Sequence, residues 1–290
     1  MTSTLPPRVE ALRQAIVAEM PCSLDTAEVR AELDRMPLPA LLQAFYSWAS
    51  RRVPPRPRHL IFAPGFWDRA ALQHETAVYE LAGRIRRGED LSDVLSEQVW
   101  TKGYVPKPVG RRRGVEWGGK DFALNAWEVH HLHLRAARSK ELLYVMFSYH
   151  DAIAVMLGDH RSFDDGTLEA RVIATRAATG RLLLHGVTAY SGDRVKLARH
   201  GLMTVAGAGG KSVMGAVIST DGSSVWQAVL ADRALHALQT YDPLVDEPGW
   251  LSAASPSVPI VDPAWGFHGN DLCLISKEGQ AALRILPGRW

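Results

Sequence analysis

Cysteine is nearly absent: the 290-residue chain holds only Cys22 and Cys273, far apart in sequence. Two distant thiols can draw neither a disulfide framework nor a CxxC zinc site. Long apolar runs are missing too. Nowhere do about eighteen apolar residues follow one another, the length a membrane-crossing helix needs. Pro6, Pro7, Arg8 and Glu10 interrupt the place where a secretion signal would keep its apolar core. No membrane partner is therefore expected, and the cytoplasm is the expected compartment. Charge of one sign is not in excess, since 33 Lys and Arg face 31 Asp and Glu. That balance permits nucleic-acid binding through local patches without demanding it. No internal repeat or low-complexity tract is visible. With 22% charged and 47% hydrophobic residues, the composition is that of an ordinary globular protein rather than a fibre or a disordered chain.

What is present is a succession of short amphipathic segments, long enough in total for two packed units or one core with a helical extension. Val9, Leu12, Ile16 and Val17 recur at helical spacing over 8–20. A second helix is predicted over 23–36, with Asp25 able to cap it and Pro37 to stop it, and a third over 41–52. The VPPRPR connector then delivers the chain to a strand candidate at 59–64, followed by a longer helix over 68–87 that Gly88 ends and a shorter helical piece closing near residue 100. Glycine, proline and basic residues fill 102–120, which reads as a loop. Beyond a run of three strand candidates come a helix at 168–178, a strand at 181–190, a glycine-rich passage, a helix at 225–238 and a last strand at 271–276. The predicted architecture is α+β: an N-terminal helical region over 1–105, a histidine-rich antiparallel sheet core over 106–190, and a mixed, β-rich C-terminal portion over 191–290 packed on that core.

The three central strand candidates read WEVHHLHL, ELLYVMFSYH and AIAVMLGDHRSF, and five of the eleven histidines fall within them. Histidine titrates near neutrality and offers two nitrogens, so clustering it on a sheet suits acid-base work or metal ligation better than packing. Alternate residues of a strand share a face about 6.5 Å apart. His131 and His133 therefore point one way with Val129, while His130, Leu132 and Leu134 point the other. Asp159 and His160 follow Gly158 where the third strand should end, and strand ends are where a scaffold presents reactive groups. The bland alternative is that these imidazoles only bond to backbone carbonyls at the sheet edge. A metal-dependent hydrolase is a further option, since His131, His133 and His160, with Asp159 or His150, could supply ligands; no spacing of the HExxH kind supports it.

The succession VHHLHL, ELLYVMF and VMLGDHRSF resembles the catalytic half of RelE-type and YafQ-type bacterial ribonuclease toxins over residues 120–163, a small part of the chain. The resemblance implies a toxin-like protein acting on RNA or the ribosome by metal-independent, cofactor-free endoribonuclease chemistry, with an antitoxin-like protein as partner. It would place His131 with His133 or His160 at the proton transfers, Lys120 or Arg161 at the phosphorane charge, and Asp159 as the orienter of a histidine. Lys107, Arg111, Arg112 and Arg113 form the basic approach to the sheet and are the candidate RNA contacts.

Three further signals have plainer readings. AGAGGKS at 206–212 lacks the first glycine of a phosphate loop, because Val205 stands where GxxxxGK requires it, so a turn between two strands with a solvated Lys211 is expected. QAALRIL at 280–286 looks like a glutamine-led sliding-clamp peptide, which keeps a non-catalytic inhibitor of growth or replication as an alternative function; an amphipathic terminal segment is the ordinary explanation. Trp48, Trp67, Trp100, Trp117 and Trp127 could stack on bases, but such residues more often fill a core.

Overall fold

Helical periodicity at the start of the chain does produce helices. In the computed structural model, which describes residues 5–106, 120–135, 139–279 and 281–288, α1 (Pro7–Glu19) buries Val9, Leu12 and Ile16. Helix α2 (Ala27–Asp34) is capped by Thr26, not Asp25, and α3 (Leu38–Ala49) is buried along most of its length. Strand β1 (His59–Phe62) follows the proline connector. The expected single helix over 68–87 is two, α4 (Arg69–Gln73) and α5 (Glu75–Arg87), because the chain turns at His74. A short helix α6 (Gln98–Thr101) completes this part.

The first histidine-rich run is only partly a strand. Asp121 caps a short helix α7 (Phe122–Trp127), Glu128 takes a left-handed conformation at φ 64°, and strand β2 is confined to His130–His133. Strands β3 (Leu142–Phe147) and β4 (Asp151–Gly158) follow, then a 3-10 turn (His160–Phe163) and α8 (Thr167–Thr179). The predicted strand over 181–190 shrinks to β5 (Leu183–Leu184), ahead of α9 (Arg194–Arg199). Strands β6 (Val205–Ala208) and β7 (Lys211–Met214) form a hairpin whose two loop residues, Gly209 and Gly210, both have positive φ. That is the glycine-demanding turn whose twist matches its strands, and it disposes of a phosphate loop here. Lys211 is exposed, as expected, and its ammonium donates to Ala177 O near the end of α8. Helix α10 (Val225–Tyr241), α11 (Trp250–Ala254) and strands β8 (Pro263–His268), β9 (Asp271–Ser276) and β10 (Ala282–Leu286) close the chain.

The mixed α+β class stands, and the chain divides into two compact units that are not continuous ranges. One takes, among the described residues, those up to Ser50, Lys102–Pro106 and the chain from Gln227 to Gly288. Its core joins α1–α3 and α10 to the antiparallel sheet β10-β9-β8. The side chains of Leu283 and Ile285 pack against that core, so the described part of the clamp-like segment is a paired strand; Gln280 lies outside the described residues.

The other unit takes Arg51–Thr101 and, among the described residues, the chain from Lys120 to Trp226, and it carries the five histidines of the central runs. Its sheet has the order β1-β4-β3-β2. Strands β2, β3 and β4 pair antiparallel as their short connections require, but β1 adds to the edge of β4 in parallel, so the sheet is mixed and recruits a strand from before residue 105. Both faces are covered, which is why β3 reads as an uninterrupted apolar run. Leu143, Val145, Phe147 and Leu132 enter one cluster; Leu142, Tyr144, Met146 and Val129 enter the other. Among the described residues no helix is long and apolar enough to cross a membrane.

Candidate functional site

A bulge decides where the third histidine arrives. Opposite β3, the register of β4 jumps from Ala154 to Met156, leaving Val155 as an extra residue. Val155 and Met156 therefore pack on the same side, and alternation is re-phased so that Gly158 faces Tyr144, on the side of His131 rather than of His130. A Cβ at Gly158 would meet Ser162 Oγ at 2.7 Å and Met156 Cε at 3.0 Å, so only glycine lets the chain fold over here. Asp159 then caps the 3-10 turn, its Oδ1 accepting Arg161 N–H at 2.8 Å while its own N–H reaches Ser162 Oγ. Tyr144 Oη donates to Asp159 O at 2.6 Å, and burial pushes that phenol well above its usual range.

This turn brings His160 to the strand pair. Its ring centroid lies 6.0 Å from that of His131 and 6.1 Å from that of His133, and Phe163 packs beside it at 5.5 Å and beside His131 at 5.4 Å. The three expected imidazoles thus converge on one side of the sheet. His130 projects to the opposite side against Phe147, 5.3 Å away, and His150 is at the far end of β4, packed on Tyr149. Neither belongs to the cluster.

The three rings sit in different surroundings. His133 Nδ1 lies 2.8 Å from Ser139 O; a carbonyl only accepts, so Nδ1 carries the proton and Nε2 keeps the lone pair. Burial pushes the His133 imidazolium below the ordinary value, with the Ser139 bond opposing. His160, exposed at its outer side, is also pushed down, first by desolvation of the flanked ring and then by its two histidine neighbours. His131 is mostly enclosed, and its Nδ1 faces Asp121 Oδ2 at 3.6 Å.

Asp159 caps the 3-10 turn that carries His160. Arg161 is exposed beside His160, with no ion pair among the described residues. Lys120 is engaged by Asp221: its Nζ donates to Asp221 O and lies 3.7 Å from the Asp221 carboxylate. Lys107 and Arg111 to Arg113 lie outside the described residues, as does Trp117. Trp48 and Trp127 are buried, whereas Trp100 is 43% exposed with Arg52 above it and Trp67 joins Phe62, Phe66 and Tyr79 in a ring cluster. Among the described residues no three His, Cys, Asp or Glu side chains form a group that could hold a metal ion.

Asp121 was not among the candidates drawn from sequence. Its only signal is an Asp directly before a short apolar run, the pattern of a helix cap. No family model, curated protein or solved structure matches this chain.

Proposed function

We propose that the histidine-bearing unit cleaves RNA by metal-independent acid-base catalysis. The observation that carries this reading is the convergence of His131, His133 and His160, from two separate segments, with the ring centroid of His160 6.0 Å from that of His131 and 6.1 Å from that of His133. His160 is the reachable, neutral-leaning imidazole and serves as base: it takes the proton of a ribose 2′-hydroxyl as that oxygen attacks the adjacent phosphorus. His131 gives a proton to the departing 5′-oxygen, so one P–O bond forms as another breaks and the net proton count is unchanged. His133 stays neutral behind them. The exposed guanidinium of Arg161 is the group available to the charge that gathers on the phosphorane oxygens.

The test is direct. Purified full-length chain incubated with RNA in the presence of a chelator should leave fragments ending in 2′,3′-cyclic phosphate and 5′-hydroxyl. His131→Ala and His160→Ala should each slow cutting by about 100-fold or more. RNA that stays intact under every condition, or cutting that a chelator abolishes, rejects this reading.

A further inference from the structure

Asp121 divides its carboxylate between two neighbours. Oδ1 accepts the Leu124 N–H at 3.0 Å and so caps α7; Oδ2 faces Nδ1 of His131 at 3.6 Å. That nitrogen is buried and has no hydrogen-bond partner at shorter range. The carboxylate is not free to swing away, because the cap holds one oxygen and the residues around it are anchored: Lys120 to Asp221 O, and the buried Asn125 to Gly222 O at 2.9 Å. Asp221 in turn shapes its own loop, accepting from Ser219 Oγ, Ser223 N and Ser223 Oγ.

A neutral imidazole beside a fixed carboxylate has two tautomers, and they are not equivalent. With the proton on Nε2, the Nδ1 lone pair confronts an anionic oxygen, acceptor against acceptor. With the proton on Nδ1, the ring donates toward that oxygen and the conflict is gone. We infer that Asp121 is a positioning residue for His131, holding it as the Nδ1–H tautomer so that Nε2 is the nitrogen that exchanges protons with substrate. His133 is set to the same tautomer by Ser139 O, but its partner is a neutral carbonyl, so of these two strand histidines it is His131 whose Nδ1 faces a carboxylate. The other groups facing His131 are His133 on its own strand, Tyr144 opposite it in β3, and His160 with Phe163 from the turn. The assignment of His131 as acid rests on the RNA-cleavage reading; the tautomer does not.

Asp121→Asn separates the two roles. The amide keeps an oxygen for the cap but turns an N–H toward His131, so Nδ1 must accept and the proton moves to Nε2. The readout is two-dimensional 15N–1H spectroscopy of histidine-labelled full-length protein, with His131 assigned from the signals lost in His131→Gln. Wild-type His131 should show the Nδ1–H pattern and Asp121→Asn the reverse, at an unchanged melting midpoint and with RNA cutting slowed by about 100-fold or more. An Nε2–H tautomer in the wild type, or a folded Asp121→Asn protein whose His131 tautomer is unmoved, overturns the proposal. If Asp121→Asn fails to fold, the wild-type spectrum decides alone. Tautomer exchange in a protein that never cuts RNA upholds the Asp121–His131 pair and rejects the cleavage reading instead.

Discussion

The burial that holds His133 and His160 below the usual histidine range also couples the fold to pH. Their ordinary value is 6.5. Above it both folded and unfolded chains carry neutral rings, and these groups cost nothing. As pH falls below 6.5, the unfolded chain takes up protons that the folded protein refuses until its lower pKa is reached, so stability drops through that window. The unfolding midpoint in denaturant should therefore fall on acidification from neutrality, and His133→Gln should flatten the slope in this range more than a substitution at the exposed His150. A profile unchanged by His133→Gln contradicts the burial argument. The strand alternation that puts His131 and His133 together and His130 apart is legible in the sequence itself, because it depends only on a period of two. The Asp121 contact is not: nothing local links residues ten apart across a helix and a left-handed turn. Lys120 is the converse case, a cation expected at the site whose partner is an aspartate 101 residues later.

Three elements are tied together by Arg176. This guanidinium on α8 is 1% exposed and donates to Trp127 O at the end of α7, to Met214 O at the end of β7, and to Gly215 O. It also pairs with Glu128 at 3.3 Å, the residue whose left-handed conformation starts the chain toward β2. Arg176→Met keeps most of the apolar bulk but strands the carbonyls and the carboxylate, and should cost about 3 kcal/mol or more in equilibrium unfolding. A loss under about 1 kcal/mol would show that the carbonyls find water instead. Sequence periodicity could not reveal this, since Arg176 sits in a helix where an arginine ordinarily faces solvent. The β4 bulge was equally hidden. An apolar run such as AIAVML has no polar residue to mark the slip, because both of its faces are covered. The histidine run misled in the other direction: Trp127 and Glu128 look like strand residues until the Asp121 cap and the Arg176 grip are known.

Across the whole chain, the α+β class followed from composition and periodicity, while the division into units did not, because each unit is assembled from separated stretches. Strand β1 precedes its partner β4 by about ninety residues, so hairpin signals carry no trace of their parallel pairing. Among the described residues, three imidazoles and an aspartate gather on one side of one sheet end, with the exposed Arg161 next to His160 in sequence. The proposed activity therefore depends on whether those imidazoles move protons. The pH dependence of single-turnover RNA cutting by the full-length chain measures this: the rate should change across the histidine range, with the acidic limb removed or shifted in His160→Ala. A rate that is flat across the histidine range, or cutting that survives the double substitution in a folded protein, would contradict it.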